Sequence, residues 1–319
     1  MLSPLAFLFE KITSGRRRCY QKRAYKSRLP VIIVGNITVG GTGKTPLVEA
    51  LYRDLKAKGD CPAIISRGFG GKSSHYPLIV DEKTPPEICG DEPFMLKERL
   101  ENAVIVIDPD RTAAVKYIET HFPEVGLIIS DDGLQHYRLH RDVEIAVVDG
   151  ARLFGNGLCL PAGPLREPVS RLNEVDAVLV NGMQRFAACK NPHRMMLKPV
   201  SFVNIKTGKS QTLADFISAS TGEIHAVAGI GNPQRFFDLL CDVAQKPVVP
   251  HAFADHHRYQ RADFAFADVH TSVVMTHKDA VKCRKFAEKN WWYLQVSPDI
   301  DATFFDAINK KLKHLGNTR

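Results

Sequence analysis

The sequence predicts an α/β fold in which a mostly parallel sheet is flanked by helices. Short, nearly continuous apolar runs recur along the chain, and segments with apolar residues at helical spacing alternate with them. Continuous apolar runs are typical of strands buried on both faces of a parallel sheet. Regular alternation of such strands with helices is typical of α/β proteins.

The apolar runs divide the chain into a larger core and a smaller second lobe. In the core, the predicted strands are Val31 to Val34, PAIIS, NAVIVID, GLIIS, VEIAVVD and DAVLVNG, and the predicted helices include DEPFMLKERL and RTAAVKYIE. From Gln184 to Gly222 the pattern loosens into polar sequence with Pro and Gly, which indicates a domain boundary. The second lobe has predicted strands IHAVAG, VVPHAF, SVVMT and WWYLQVS, and predicted helices near PQRFFDLLCD and AVKCRKFAEK.

Composition and charge exclude several classes of protein. The 319 residues are 44% hydrophobic and 24% charged, as in an ordinary globular protein. Seven scattered cysteines form no C-x-x-C pair, which indicates reduced thiols in a cytoplasm. The net charge is +8, but residues 1–30 hold eight Lys and Arg against Glu10, so the other 289 residues carry only +1. A nucleic-acid-binding ATPase is therefore disfavoured.

The N-terminal segment combines an apolar stripe with this basic run. Leu5, Leu8, Phe9 and Ile12 share one face of a predicted helix. The apolar part is too short to span a bilayer, but it suits a helix that lies at the surface of an anionic membrane. A solvated basic helix packed on the body and an organellar transit peptide are the alternatives. The predicted domains are therefore 1–29, a membrane-associating helix; 30–222, the core; and 223–319, the smaller lobe.

The stretch GNITVGGTGKTP indicates a phosphate-binding loop. Small residues let backbone N–H groups face phosphate oxygens, Lys44 can reach the β- and γ-phosphates, and the Thr45 hydroxyl can bind Mg²⁺. The usual G-x-x-x-x-G-K-[ST] spacing would put a glycine where Thr38 stands, but a predicted strand precedes the loop and a predicted helix follows it. These features predict a P-loop NTPase core. The predicted nucleotide-binding residues are Thr38, Val39, Gly40, Gly41, Thr42, Gly43, Lys44 and Thr45.

Five other stretches offer groups for phosphoryl transfer. GLIISDDGLQH ends a strand on Asp131 and Asp132, where a magnesium-binding carboxylate is expected. Asp91 precedes a helix and, by itself, has the position of an N-cap. The remaining candidates are Gln135 and His136 after the acidic pair, Ser66 and Arg67 in SRGFGG, Arg166 and Glu167 in GPLREP, and Asp255, His256 and His257 in FADHHRY.

Taken in order, the motifs GNITVGGTGKTP, SRGFGG, GDEP, DDGLQH, GPLREP, DHHRY and KDAVKC resemble those of the tetraacyldisaccharide 4'-kinase family, the lipid A 4'-kinases. The resemblance implies an ATP- and Mg²⁺-dependent lipid kinase on the cytoplasmic face of the inner membrane, bound peripherally. It implies transfer of the γ-phosphoryl group to the 4'-hydroxyl of a tetraacyl glucosamine disaccharide 1-phosphate. The implied partners are this acylated disaccharide and an anionic membrane surface, with no nucleic acid and no protein partner.

The resemblance also implies roles for individual residues. Asp91 becomes the catalytic base instead of an N-cap, and His256 assists it. Lys44 and Thr45 match the phosphate and magnesium positions. Asp131 and Asp132 match the acidic metal-binding pair, and either could dominate. Ser66, Arg67, Gln135, His136, Arg166 and Glu167 match segments that contact substrate or phosphate.

The alternative function is a P-loop ATPase or GTPase that acts as a switch or metallochaperone, with water as the acceptor. Such a protein would share the phosphate loop and the acidic pair. It would need neither the Asp91 and His256 pair nor a membrane helix.

Overall fold

The computed structural model describes residues 2–182, 192–220 and 222–316. Gln184, the first residue of the predicted boundary, lies outside them. The chain divides into two compact units, one of Met1–Met196 with Pro298–Arg319 and one of Leu197–Ser297. The predicted domain limits at 29/30 and 222/223 stay a prediction. Among the described residues, no helix has both the length and the apolar content needed to cross a bilayer.

The strands and helices alternate as the α/β class requires. The strands are β1 Val31–Gly35, β2 Pro62–Ser66, β3 Leu78–Ile79, β4 Val104–Ile107, β5 Leu127–Asp131, β6 Val143–Asp149, β7 Ala177–Asn181, β8 His193–Asn204, β9 Ser210–Thr212, β10 Ile224–Ala228, β11 Val248–Ala252, β12 Ser272–Met275 and β13 Trp291–Ile300. The helices are α1 Ser3–Gln21, α2 Lys44–Ala57, α3 Pro86–Cys89, α4 Asp91–Arg99, α5 Arg111–His121, α6 Leu213–Ala219, α7 Pro233–Ala244, α8 His277–Cys283 and α9 Ala302–Gly316. A 3₁₀ helix spans Val169–Asn173.

In the first unit the strand order is β8, β7, β6, β1, β5, β2, β4 and β3. All neighbours are parallel except β3, which runs antiparallel to β4. Ile33 of β1 pairs with Ser130 of β5, so the two strands end side by side. Because the loops after parallel strands share one edge of the sheet, the phosphate loop and the acidic pair are brought to the same edge.

Apolar residues cover both faces of this sheet. Every residue of β1 is buried, as expected for a central strand. On one face, Leu47 and Leu51 of α2 pack in a cluster that also contains Phe304 of α9. On the other face, Val115 and Ile118 of α5 are part of the second cluster.

In the second unit the strand order is β11, β10, β12, β13 and β8, with β9 antiparallel to β8. Strands β11, β10, β12 and β13 pair in parallel. One apolar cluster includes Phe236 and Leu240 of α7, and the other includes Phe264 and Trp291.

The predicted α/β class with a mostly parallel sheet is confirmed, and each predicted strand overlaps an observed one. A helix does lie near AVKCRKFAEK, as predicted, but α8 starts before this stretch and ends at Cys283. Its start is set by Thr276, whose hydroxyl accepts a hydrogen bond from the backbone N–H of Asp279. The sequence predicts no strand or helix in residues 184–222, where β8 and α6 lie, and it does not predict α9.

Candidate active site

The phosphate loop turns into α2 at Gly43. This residue has a φ of 95° and occupies the N-cap position, so Lys44 and Thr45 begin the helix. A Cβ atom at Gly43 would lie 2.3 Å from Nδ2 of Asn181. That amide donates to the carbonyl oxygen of Thr42 at 2.9 Å. Glycine is therefore required here by both the backbone conformation and the close approach of Asn181.

Side chains from elsewhere bind the carbonyl groups of the loop. Nη2 of Arg152 donates to the Gly41 oxygen at 2.8 Å, and Nδ2 of Asn36 donates to the Gly40 oxygen at 3.3 Å. Arg152 is itself held by Asp149 at 3.2 Å. With these carbonyl oxygens turned toward donors, the backbone N–H groups of the loop are suited to receive an anion.

Asp132, just beyond β5, lies between two cations. Its Oδ1 is 3.4 Å from Nζ of Lys44, and its Oδ2 is 3.3 Å from Nη1 of Arg166. Burial acts to raise the pKa of Asp132, but Lys44 and Arg166 outweigh it and hold the pKa below its usual value. Asp132 is also one of the few non-glycine residues with positive φ, at 48°. The carboxylate is therefore ionised and fixed beside the loop lysine.

Asp131 has a different environment. The residue is completely buried, and no donor among the described residues forms a hydrogen bond with either carboxylate oxygen. Burial, followed by the charge of Glu92, raises the pKa of Asp131. Glu92 lies in the first turn of α4, so the start of that helix is close to the end of β5.

These groups fit a hydrated divalent cation. Mg²⁺ usually takes one or two carboxylates, water and substrate phosphates, and the Asp131 oxygens, Asp132 and the Thr45 hydroxyl are of that kind. In the part of the chain that the structure describes, no three His, Cys, Asp or Glu side chains group to hold a metal by themselves. The Asp131, Asp132 and Thr45 oxygens would leave the other positions of such a cation to water and phosphate.

The segment around Arg166 is tied to the phosphate loop by backbone hydrogen bonds. Thr38 and Leu165 form an antiparallel bridge, and the Arg166 N–H donates to the Ile37 oxygen at 2.7 Å. Nε2 of Gln135 donates to the carboxylate of Glu167 at 2.7 Å. The structure thus brings together Lys44, Asp132, Gln135, Arg166 and Glu167.

Glu167 rests on a buried ionic network. Nε of Arg171 lies 3.3 Å from the Glu167 carboxylate, and Arg171 is only 1% exposed. Arg171 also binds Glu144 at 2.5 Å, and Arg141 binds the same carboxylate at 2.9 Å. Burial acts to raise the pKa of Glu144, but its two arginine partners hold the pKa below its usual value.

Asp91 is the first residue of α4, and Gly90 takes the N-cap position in front of it. The SRGFGG segment packs on this turn, because a Cβ atom at Gly90 would lie 2.5 Å from the Phe69 oxygen. Ser66 is buried at the end of β2, whereas Arg67 is exposed. The segment that carries these two residues therefore supports the turn at Asp91.

His136 lies 3.4 Å from Asp110. Burial, together with the charge of Arg111, lowers the pKa of His136 to about 4, so its imidazole is neutral at pH 7. In the second unit, His256 has a φ of 62°, and His257 is 2.9 Å from the Asp263 carboxylate.

Arg111, Asn181 and Arg152 are site residues that the sequence analysis missed. Nη2 of Arg111 donates to the backbone oxygens of Asp131 and Asp132 at 3.4 Å, and burial lowers its pKa to about 10. Arg111 comes shortly after a parallel strand, and Asn181 is the last residue of one. Ligand-binding residues are common at such positions, so the sequence did carry a signal for both. Arg152 follows the end of β6 at Asp149 and had the same signal.

Known proteins resemble this chain over most of its length. A family model described as tetraacyldisaccharide-1-P 4'-kinase matches residues 1–313. The chain is 50% identical over 305 residues to a tetraacyldisaccharide 4'-kinase of Francisella philomiragia, with 93% of this chain and 94% of that protein covered. It is 47% identical over 313 residues to the enzyme of that name from Francisella tularensis subsp. novicida, with 94% and 95% covered.

A solved structure has the same fold. The crystal structure of LpxK from Aquifex aeolicus in complex with ATP matches with a TM-score of 0.77 and 28% identity. The match covers 97% of this chain and 98% of that one.

Gly43→Ala is expected to weaken nucleotide binding about tenfold or more while the protein stays folded. The added methyl group meets Asn181 and is strained at positive φ, which costs about 1 to 3 kcal/mol and displaces the loop. The matched control is Gly126→Ala, where no atom lies within 4 Å of the added Cβ. Isothermal titration with ATP measures both variants, and unchanged affinity in Gly43→Ala would mean that the loop does not bind the nucleotide in this conformation.

Glu144→Gln is expected to lower the free energy of unfolding at pH 7 by about 3 kcal/mol, because the buried Arg171 loses an ionic partner. The folded-state pKa of Glu144 is depressed, so its contribution is complete above the unfolded value of about 4.3 and is lost as the pH falls through the folded value. The difference in unfolding free energy between wild type and variant should therefore become smaller below about pH 4.

Urea unfolding at a series of pH values measures this gap. The exposed Glu124→Gln is the control and should show almost none at any pH. A gap for Glu144→Gln that grows on acidification would contradict the assignment of the ion pair.

Proposed function

Because this chain belongs to the tetraacyldisaccharide 4'-kinase family, and is thus a kinase that uses ATP to phosphorylate the 4'-hydroxyl of the disaccharide precursor of lipid A, we propose how its residues share that reaction. The phosphate loop and the end of β5 bind the nucleotide. Asp91 and His256 act on the acceptor hydroxyl. Helix α1 keeps the enzyme at the membrane that contains its substrate.

The observation that carries the nucleotide assignment is the placement of Lys44 and Arg166 on opposite oxygens of Asp132. Phosphoryl transfer proceeds mainly through positioning and charge stabilisation, and both cations can turn to phosphate oxygens beside their present partner. Thr45, Asp131 and Asp132 would hold Mg²⁺, which neutralises charge that develops on the phosphates. Arg111, behind the carboxylates, balances the buried negative charge.

The acceptor alcohol must lose a proton as it attacks. A positioned carboxylate is a suitable base, as in other kinases. Asp91 starts a helix whose N-terminal end approaches the end of β5, as the effect of Glu92 on Asp131 indicates. This neighbourhood supports Asp91 as the base for the 4'-hydroxyl. The match of the stretch DHHRY to the family motif supports His256 as its assisting group.

Exposed apolar residues on α1 support a membrane role. The predicted stripe is largely exposed, with Leu5, Leu8 and Ile12 each at least half exposed, while Phe9 packs partly against the body. Leu2 and Phe7 are also exposed. An apolar helix surface followed by basic residues suits a peripheral position on an anionic membrane, on the cytoplasmic face of the inner membrane. The functional division that we propose remains 1–29, 30–222 and 223–319.

The reaction is tested with γ-labelled ATP and Mg²⁺, incubated with a tetraacylated disaccharide 1-phosphate in detergent or with detergent alone. We expect label in the lipid, and Lys44→Ala should reduce its transfer at least about a hundredfold, since a lost charge-stabilising donor costs about 2.7 kcal/mol or more. Lys56→Ala, an exposed lysine on the same helix, is the control. Label found only in free phosphate would support a switch ATPase, and normal transfer by Lys44→Ala would contradict the role of the loop.

Membrane binding is tested by substitution, because deletion of residues 1–27 would also remove Tyr25 and Ser27, which donate to Glu119. Replacing Leu5, Leu8 and Ile12 with Ser should release the protein from phosphatidylglycerol vesicles in co-sedimentation, because each apolar side chain contributes about 1.5 kcal/mol or more when buried. The lipid KM should rise more than kcat falls.

A second variant tests the basic residues. Lys11→Gln, Arg16→Gln and Arg18→Gln together should weaken binding at low salt only, because surface cations contribute about 1 kcal/mol each and are screened. Binding that neither set of substitutions alters would place the membrane contact elsewhere in the chain.

A further inference from the structure

Lys278, the second residue of α8, lies beside His256. Its Nζ is 3.2 Å from Nε2 of His256 and 3.4 Å from Oδ1 of Asp255. The lysine side chain is 16% exposed, so it is largely enclosed with these two partners. Asp255 is too far from His256 to share a hydrogen bond with it, at 3.9 Å from Nε2.

This contact determines which imidazole nitrogen carries the proton. A lysine ammonium group has three donors and no acceptor, so Nε2 of His256 has to accept. In a neutral imidazole the other nitrogen then carries the hydrogen. His256 therefore has its N–H at Nδ1, and the Asp255 carboxylate balances the charge of the ammonium group.

We propose that Lys278 is a positioning residue that fixes His256 as the neutral Nδ1–H tautomer. In this form His256 donates one hydrogen bond and takes up no proton itself. The proposal rests on the assisting role proposed above for His256. A donor of this kind orients a carboxylate base and leaves that carboxylate as the group that accepts the proton of the sugar hydroxyl.

The surrounding structure holds both partners in place. The positive φ of His256 is uncommon for a residue with a side chain and requires support from its surroundings. The start of α8 is fixed by Asp279, which has no exposed surface and accepts hydrogen bonds from the Thr276 hydroxyl and from the Gly229 N–H. Lys278 thus projects from a helix start that Asp279 holds in place.

The first measurement is the tautomer itself, in the full chain labelled with ¹⁵N-histidine, by long-range ¹H–¹⁵N correlation spectra. His256→Gln identifies the signals of His256. We expect an Nδ1–H tautomer in the wild type and a mixture or the Nε2–H form in Lys278→Met. A cationic or Nε2–H His256 in the wild type overturns the proposal without any activity assay.

The second measurement is kinetic. Lys278→Met should lower kcat at least about tenfold, because Lys278 positions an acid–base group and so accounts for part of that group's usual contribution. The KM for ATP should be unchanged. Lys278→Arg keeps a donor-only cation and should recover the tautomer and most of kcat. The matched control is Lys282→Met on the same helix, since Lys282 lies 3.4 Å from the buried Asp279 carboxylate and its loss should lower stability and leave the His256 tautomer unchanged.

The outcomes separate this proposal from the one on which it rests. If His256→Ala keeps full activity, the assisting role of His256 fails. If His256→Ala is impaired but Lys278→Met keeps both the tautomer and kcat, only the role of Lys278 fails. Should Lys278→Met not fold, the wild-type tautomer and the Lys278→Arg variant still decide the question.

Discussion

The site depends on two adjacent carboxylates at the end of a buried strand. Asp131 has no exposed surface, and burying an ionised carboxylate is unfavourable unless charge and hydrogen bonds compensate for it. Lys44 and Arg166 pair with Asp132, and Arg111 donates to the backbone oxygens of both residues, so three separate segments of the first unit bring positive charge to the strand end, while burial still raises the pKa of Asp131. The strand end is therefore stable as a charged site only when the phosphate loop, the segment around Arg166 and the start of α5 are all in place.

The need to compensate buried polar groups also explains why several polar side chains donate hydrogen bonds to a loop and not to a helix or strand. Asn181, Arg152 and Asn36 each donate to a carbonyl oxygen of the phosphate loop. These carbonyl groups lack the regular backbone partners that a helix or sheet would provide. Unpaired carbonyl groups near a phosphate would repel it, and these donors remove that penalty while the helix N-terminus attracts the anion. Loop shape and anion affinity thus come from the same hydrogen bonds.

Strong local patterns made much of this fold predictable. The strand Val31–Gly35 is apolar and buried throughout. Lys44 follows Gly43, and a glycine at this position is typical of a tight turn before a helix. Strand β8 was missed because exposed, half-buried and buried positions mix along its first part, so it lacks the apolar run of a buried strand. Arg171 could not be foreseen, because an arginine with 1% exposure is recognisable only once Glu144 and Glu167 are beside it.

Helix α1 is joined to the segment around Arg166 through charge as well as through packing. Nη2 of Arg17 lies 2.8 Å from Glu174, and Nη1 is 4.0 Å from the nearly buried Glu167, which holds Gln135. Oε2 of Glu174 also lies 3.9 Å from Nη1 of Arg171, so this carboxylate bridges Arg17 and the arginine that supports Glu167. A change at Arg17 would therefore disturb the segment around Arg166 even without a membrane, whereas changes at the exposed apolar residues of α1 leave this network intact. Substitutions on different faces of the one helix can thus separate the membrane binding that we propose from support of the site.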